Sequence, residues 1–218
     1  MTETQAQSAL QAAFAELGLA ENHQAWSKLV QYWQLLQKWN QAINLTAIRD
    51  PHEMLIKHLF DSLSVAPVMT WNRLLDVGTG AGFPGLVLAI LAPEKSVALI
   101  DSNSKKTRFL MQAVHALQLT NVEVVHERVE AHRPAVPYDA IVSRAFASLS
   151  DFLTLTRHLL SEDGYWWAMK AQQAEAELAQ LPAFARLIRC HPLQVPQLSA
   201  QRRVIQLAPI HSNEKEQA

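Results

Sequence analysis

The chain has a single cysteine, Cys190, among 218 residues. That excludes an internal disulfide and a cysteine-rich metal site. Nine histidines are present without metal-ligand spacing, so no metal is expected. No apolar run approaches the roughly 18 residues of a membrane span. The segment Met1–Ala20 has no basic start, uninterrupted apolar middle or small-residue cleavage site, so it does not read as a secretory signal. A cytoplasmic protein without membrane contact is expected. An excess of one charge is missing too: 19 Lys and Arg stand against 20 Asp and Glu, a net charge of −1. A basic footprint normally marks nucleic-acid binding. Binding of RNA by this chain would need cations gathered on one face, or recognition through shape. Hydrophobic residues still make up 49% and charged residues 18%. Such a composition fills a core and excludes a disordered chain, a collagen-like fibre and a coiled coil.

Glycine is scarce as well, and its distribution is informative. The six glycines lie at 18, 78, 80, 82, 85 and 164, four of them within eight residues. A chain that otherwise avoids glycine and concentrates it in one loop needs backbone freedom or close approach there.

Apolar spacing predicts an amphipathic helix over 25–42, through Trp26, Leu29, Val30, Trp33, Leu36 and Trp39. A second helix follows, with Asp50 as N-cap, Pro51 at the first position and Glu53 placed to close a capping box. No Gly/Ser-rich linker separates this part from the rest, so residues 1–70 read as a helical cap on a main domain at 71–210, with a polar tail at 211–218. From residue 73, strands and helices alternate: strands at 74–77, 97–101, 122–126, 140–143 and 165–169, and helices at 83–91, 105–117, 149–160 and 173–181. Two last strands, near 187–194 and 203–208, lack a helix between them and predict a hairpin with an antiparallel strand at or near the edge. The pattern is α/β, a mostly parallel seven-stranded sheet with helices on both faces.

Leu74–Gly85 reads LLDVGTGAGFPG: a strand, a glycine-rich turn and the start of a helix. In doubly wound folds ligands bind outside the carboxyl ends of the strands. The dinucleotide fingerprint G-x-G-x-x-G is not met, because Phe83 stands where its third glycine belongs, and no Gly-Lys-Ser/Thr marks a P-loop. An acid closing the strand (Asp76) and glycines at 78, 80 and 82 suit S-adenosylmethionine, which has no pyrophosphate to cradle. Asp76 is expected to face its ammonium group, directly or through water. Asp101, about twenty residues beyond the loop, is placed for ribose hydroxyls, in a methyltransferase or a dehydrogenase alike. The plain alternative is a tight structural turn with both aspartates capping the helices that follow.

The stretches KWNQAINLT (38–46), HLFDSL (58–63), LLDVGTGAGFPGLVLAI (74–90), LIDSNSKKTRFL (99–110), VHERVE (125–130) and YDAIVSRAFASL (138–149) together resemble one family. It is the bacterial 16S rRNA (guanine-N7) methyltransferases, ribosomal RNA small subunit methyltransferase G, also called glucose-inhibited division protein B. The resemblance implies a class I, Rossmann-like fold. It implies methyl transfer from S-adenosylmethionine to N7 of one guanine, position 527, in the 530 loop of 16S rRNA, on the 30S subunit in the cytoplasm. Carried over by position, its cofactor contacts fall on Gly78, Phe83, Val129, Glu130 and Arg144. Val129 departs from the small or polar residue of some relatives, and a backbone contact survives that change. Where relatives often read Glu-Arg-His-Leu-Val, this chain has Gln201–Ile205, so only Arg202 carries over.

The residues agree with that chemistry. N7 carries no proton, so no general base is required and alignment suffices. No Asp/Asn-Pro-Pro-Tyr/Phe follows the fourth strand, which argues against exocyclic amino methylation, and Cys190 lies far from that position. Arg144, at the ligand edge of the sheet, is the candidate catalytic residue; the alternative is a surface ion pair. Candidates for RNA contact are Asn44, Thr46, Lys105, Lys106, Arg108, Lys170 and Arg202, against the alternatives of a solvated helix face and an ordinary turn. His58 and Asp61, one turn apart, are expected to form a hydrogen-bonded pair rather than a ligand set. Trp71 is ambiguous, and the other tryptophans read as core. A methyltransferase for a small molecule or protein, and a nucleoside- or RNA-binding module without catalysis, remain open at this point. A monomer is expected.

Overall fold

The computed structural model describes residues 1–146, 148–170 and 175–210. The expected tail at 211–218 and the start of the helix expected at 173–181 lie outside the described residues. Seven strands form one sheet: β1 (Arg73–Val77), β2 (Ser96–Ile100), β3 (Val122–Val125), β4 (Tyr138–Ser143), β5 (Leu160–Lys170), β6 (Ala185–Leu193) and β7 (Arg202–Pro209). Their order is β3-β2-β1-β4-β5-β7-β6. The first five pair in parallel, and β7 runs antiparallel between β5 and β6. The hairpin expected at the end of the chain is therefore present, with its second strand inserted inside its first. The order reverses between β1 and β4, which makes that edge the switch point where doubly wound sheets take ligands.

Period-two alternation divides the side chains between two cores. Leu74, Leu99, Val142 and Trp167 point to one face, which they share with α5 (Gly85–Leu91), α6 (Ser104–Ala116) and the N-terminal helices. Leu75, Val77, Ile100, Ile141 and Trp166 point to the other, under α7 (Leu149–Thr156). Fully burying one such side chain contributes about 1.5–3 kcal/mol. Trp71 is buried as well.

The N-terminal helices are α1 (Glu3–Glu16) and α2 (His23–Ile43). Sequence periodicity did not reveal α1, whose start is fixed by a capping box between Thr2 and Gln5. The next segment begins with α3 (Pro51–Met54), where Asp50 Oδ1 accepts from Glu53 N at 2.8 Å. Glu53 closes no box; it pairs instead with Lys57 one turn on. A π-helical turn, Leu55–Phe60, runs into α4 (Asp61–Leu63). Such turns admit an extra residue and re-aim side chains, and this one carries His58. The helix expected at 83 begins at Gly85, because the glycine turn continues through Phe83–Pro84. A short helix, α8 (Glu175–Leu178), precedes β6.

Candidate functional site

The glycine turn leaves β1 with Gly78, Gly80 and Gly82 all at positive φ (+65°, +63° and +103°), where an L side chain is strained. The turn is fastened from beneath. Asp76 is fully buried, and its Oδ2 accepts from Thr79 Oγ1 (2.6 Å) and Gly85 N (2.8 Å). Asp76 therefore binds the two ends of the turn together. Burial pushes its pKa up to about 6, against the pull of those two donors and of Arg144. Its Oδ1 accepts from no donor among the described residues. Asp101 works from the neighbouring strand: Oδ2 accepts from Gly80 N (3.0 Å) and Oδ1 from Asn103 N (2.8 Å), the N-cap of α6. Both aspartates thus hold loop backbone, as the plain alternative required, yet only Asp101 also faces a cleft.

Three clefts adjoin along this edge. The first, about 290 Å³, lies between the ends of β1, β2 and β3 and the start of the loop after β4. Val77, Ile100, Val129, Phe146 and Leu155 supply apolar walls, and Asp101, Glu127 and Glu130 supply acceptors. A second, about 220 Å³, is floored by Gly78–Ala81 and walled by Thr46, His58, Phe83 and Arg144; it shares Gly78 and Ala145 with the first. A third, about 330 Å³, shares His58 and Arg144 with the second and is lined by Lys57, Lys170, Arg202 and Arg203. The path thus runs from an acidic, half-apolar cleft to a basic one.

The expected site residues divide among these clefts. Gly78, Asp101, Val129 and Glu130 line the first; Gly80, Phe83, Thr46 and Arg144 line the second; Lys170 and Arg202 line the third. Others stand elsewhere. Gly82 faces the helical cap: a Cβ there would come within 2.9 Å of the Tyr32 hydroxyl. That hydroxyl donates to Ala81 O in a fully buried setting, and burial raises its pKa well above the usual range. Gly82 therefore makes room for Tyr32 at the cap interface and lines none of the three clefts. Asn44 ends α2 in the left-handed conformation and accepts from Arg49 (2.9 Å), outside the clefts. Lys106 reaches Asp101 Oδ2 at 3.5 Å. Lys105 and Arg108 are exposed on α6 and line none of the three clefts.

Arg144 is held by the cap. Its Nη1 donates to Asp61 Oδ2 (3.0 Å) and Lys57 O (3.2 Å), its Nη2 lies 3.3 Å from His58 Nδ1, and its Cζ sits 5.3 Å from the Phe83 ring centroid. Arg202 Nε lies 3.3 Å from Asp61 Oδ1. The buried Asp61 thus pairs with two arginines, and the pair expected between His58 and Asp61 is not formed. His58 stacks on Phe83 (centroids 4.8 Å apart, 15° between planes) and bonds Thr46 Oγ1 at 2.8 Å. Burial, then the charge of Arg144, lowers its pKa to about 3. Lys170 Nζ donates to Phe146 O (3.1 Å) and Glu177 Oε2 (3.0 Å). Sequence reasoning missed Asp61 as the anchor of Arg144, and missed Phe146, Glu127 and Leu155. The strand-end position of Phe146 and Glu127 is the signal that could have found them; Leu155 lies on α7 and carries no such signal.

Chain comparison agrees with this geometry. The family model described as rRNA small subunit methyltransferase G matches residues 25–206. The chain belongs to this family. Among relatives in the methyltransferase G family, the protein of that name from Hydrogenovibrio crunogenus is 60% identical over 198 residues, covering 91% of this chain and 92% of its own. That of Pseudomonas aeruginosa is 52% identical over 191 residues, covering 87% and 89%. A solved S-adenosylmethionine-dependent methyltransferase from Aquifex aeolicus shares the fold (TM-score 0.56, 19% identity, 75% of this chain and 96% of that one). So does TrmN from Thermus thermophilus (TM-score 0.54, 22% identity, 70% and 48%). Membership makes the chain an S-adenosylmethionine-dependent methyltransferase, in a family of small-subunit rRNA methyltransferases. The first cleft suits that cofactor: apolar walls for a base, and acids for ribose hydroxyls and cationic groups. Among the described residues no His/Cys/Asp/Glu group could hold a metal ion, and no helix is long and apolar enough to cross a membrane.

Proposed function

We propose that the chain methylates N7 of a single guanine, position 527, in the 530 loop of 16S rRNA, by direct in-line displacement. The observation that carries this reading is the junction of the clefts. The acidic one meets the purine-sized one at Gly78 and Ala145, and that one opens into the basic one at Arg144. When bound, S-adenosylmethionine supplies an electrophilic methyl group on a sulfonium sulfur. Residues Gly78, Asp101, Val129 and Glu130 hold it in the first cleft, with Asp76 and Gly80 acting through the turn. Arg144 and Phe83 border the target base, and Lys170 and Arg202 face its RNA backbone. Lys105, Lys106 and Arg108, on α6 beside the same edge, extend the RNA contact.

Guanine N7 attacks with an in-plane lone pair. The new C–N bond forms as the C–S bond breaks, its electron pair returns to sulfur, and no proton leaves. Positive charge moves from sulfur to the guanine ring. The Asp61 carboxylate, shared between Arg144 and Arg202, offsets part of the guanidinium charge that faces the cationic product. Holding the reactants in line can lower the barrier by about 7–11 kcal/mol. Residues 1–70 serve as a cap that positions Arg144, and 71–210 as the methyltransferase domain. The enzyme works as a cytoplasmic monomer on the small ribosomal subunit.

Tritium transfer from labelled S-adenosylmethionine to 30S subunits, naked 16S rRNA and free nucleosides tests the reading. Label on rRNA that maps to N7 by borohydride–aniline cleavage is expected. Label on small molecules alone would overturn it.

A further inference from the structure

The second cleft contains a hydroxyl whose hydrogen-bonding capacity is almost fully assigned. Thr46 Oγ1 accepts from Ile48 N at 3.2 Å and lies 2.8 Å from His58 Nε2. The direction of the second bond follows from the far side of the ring. An arginine can only donate, and Arg144 Nη2 lies 3.3 Å from His58 Nδ1. Nδ1 is therefore the acceptor, the ring is neutral, and the proton sits on Nε2, which donates to Thr46. Burial, with the charge of Arg144, lowers the His58 pKa to about 3, so the ring stays neutral across the working range. Stacking on Phe83 fixes the plane of the ring.

A hydroxyl has two acceptor sites and one donor. Both acceptor sites of Thr46 are taken by protein. Its own proton has no acceptor among the described residues, and the side chain lines the cleft. The cleft thus presents a donor that cannot turn round and accept. Guanine shows two acceptors side by side, N7 and O6; adenine shows N7 beside an N6 amino donor. We propose that Thr46 is the specificity-determining residue of the target cleft, donating to guanine O6 while N7 faces the methyl group. Adenine would set its amino group against a hydroxyl with no lone pair to spare. A site built to hydrogen-bond one group rejects an analogue lacking it because its own polar group is left unpaired. His58 acts as a positioning residue, relaying the orientation of Arg144 to Thr46. The inference rests on the reading that the target is guanine N7.

The test is a cycle between one protein group and one base group. Subunits are reconstituted with 16S rRNA carrying either guanine or 2-aminopurine at the target. The second base keeps N7 and lacks O6. Single-turnover methylation is measured for the wild type, T46V and T46S. The wild type should prefer guanine by about tenfold or more. T46V should lose that preference and treat both bases alike, and T46S should restore it. The ratio of rates within each protein cancels any general loss of folding or cofactor binding. A wild type that does not distinguish the two bases, or a T46V that keeps the wild-type ratio, overturns the assignment alone. Guanine subunits left unmethylated by the wild type overturn the guanine-N7 reading and the assignment together.

Discussion

The two ends of the cleft path are built by different means. The proposed cofactor end rests on main chain: the turn that leaves β1 through the positive-φ Gly78, fastened by two strand-end acids that accept from the backbone of Gly80, Gly85 and Asn103. The target end is made of side chains that meet from distant segments: Thr46, His58 and Asp61 from the cap, Arg144 from after β4, and Arg202 from β7. Backbone geometry writes itself into sequence as a local pattern. A meeting of Asp61 with residues 83 and 141 positions away does not. The difference also predicts how each end fails: the first through backbone strain or burial, the second through loss of alignment with the cofactor still bound.

The sharpest test of that contrast is Arg144→Ala. Methylation of 30S subunits should fall about 100-fold or more, as misplacement of reacting groups does, while S-adenosylhomocysteine affinity by calorimetry changes little; leaving the buried Asp61 short of one partner should cost about 1–3 kcal/mol by urea denaturation. Loss of cofactor affinity would place Arg144 at the other end of the path.

Asp61→Asn comes next. It removes the charge that fixes Arg144 and Arg202, at a stability cost of about 1–3 kcal/mol by urea denaturation. Methylation should drop about tenfold through misalignment of Arg144, again at unchanged cofactor affinity.

The two ends should also titrate with opposite sign. Asp76 has a folded pKa near 6, above the unfolded value of 3.8. The native state therefore binds the extra proton, and this contribution to stability falls as pH rises from about 4 to about 6. His58 has a folded pKa near 3, below 6.5. There the unfolded state binds the proton, and stability is lost as pH falls from about 6.5 to about 3. Between pH 7 and pH 5 the Asp76 contribution should strengthen by about 1 kcal/mol and that of His58 weaken by about 2 kcal/mol. Urea melts of Asp76→Asn and His58→Gln at both pH values, each compared with the wild type, read the two separately. Slopes of the same sign would break the comparison.

The smallest effects are expected on α6. Lys105→Ala and Arg108→Ala should leave stability within about 0.5 kcal/mol. Each should lower the methylation rate of 30S subunits about two- to threefold at low salt, with the loss vanishing at high salt.

Legibility in the sequence follows the same division. The alternation of strands and helices, the terminal hairpin, the glycine turn and the acid after β2 were readable, because each is a short-range pattern. Helix α1 was not, since its apolar residues Ala6, Leu10, Ala13 and Phe14 form a narrow stripe in a polar segment. The π-helical turn at Leu55–Phe60 was not, because its re-aiming of His58 and Asp61 arises from packing against Phe83 and Arg144. Gly82 belongs to the glycine turn by spacing; that its missing Cβ also makes room for Tyr32 across the cap interface is visible only in the fold. Asn44 and Thr46 looked alike as turn residues; only the fold shows that one is occupied with Arg49 and the other lines the cleft.

A crystal structure of the S-adenosylhomocysteine complex tests the central claim most directly. The adenosine should lie among Asp101, Val129 and Glu130, with the sulfur at the junction by Gly78 and Ala145, directed at the cleft that holds Thr46 and Arg144. An adenosine seated in the basic cleft among Lys170, Arg202 and Arg203, or a sulfur turned away from that junction, would contradict it.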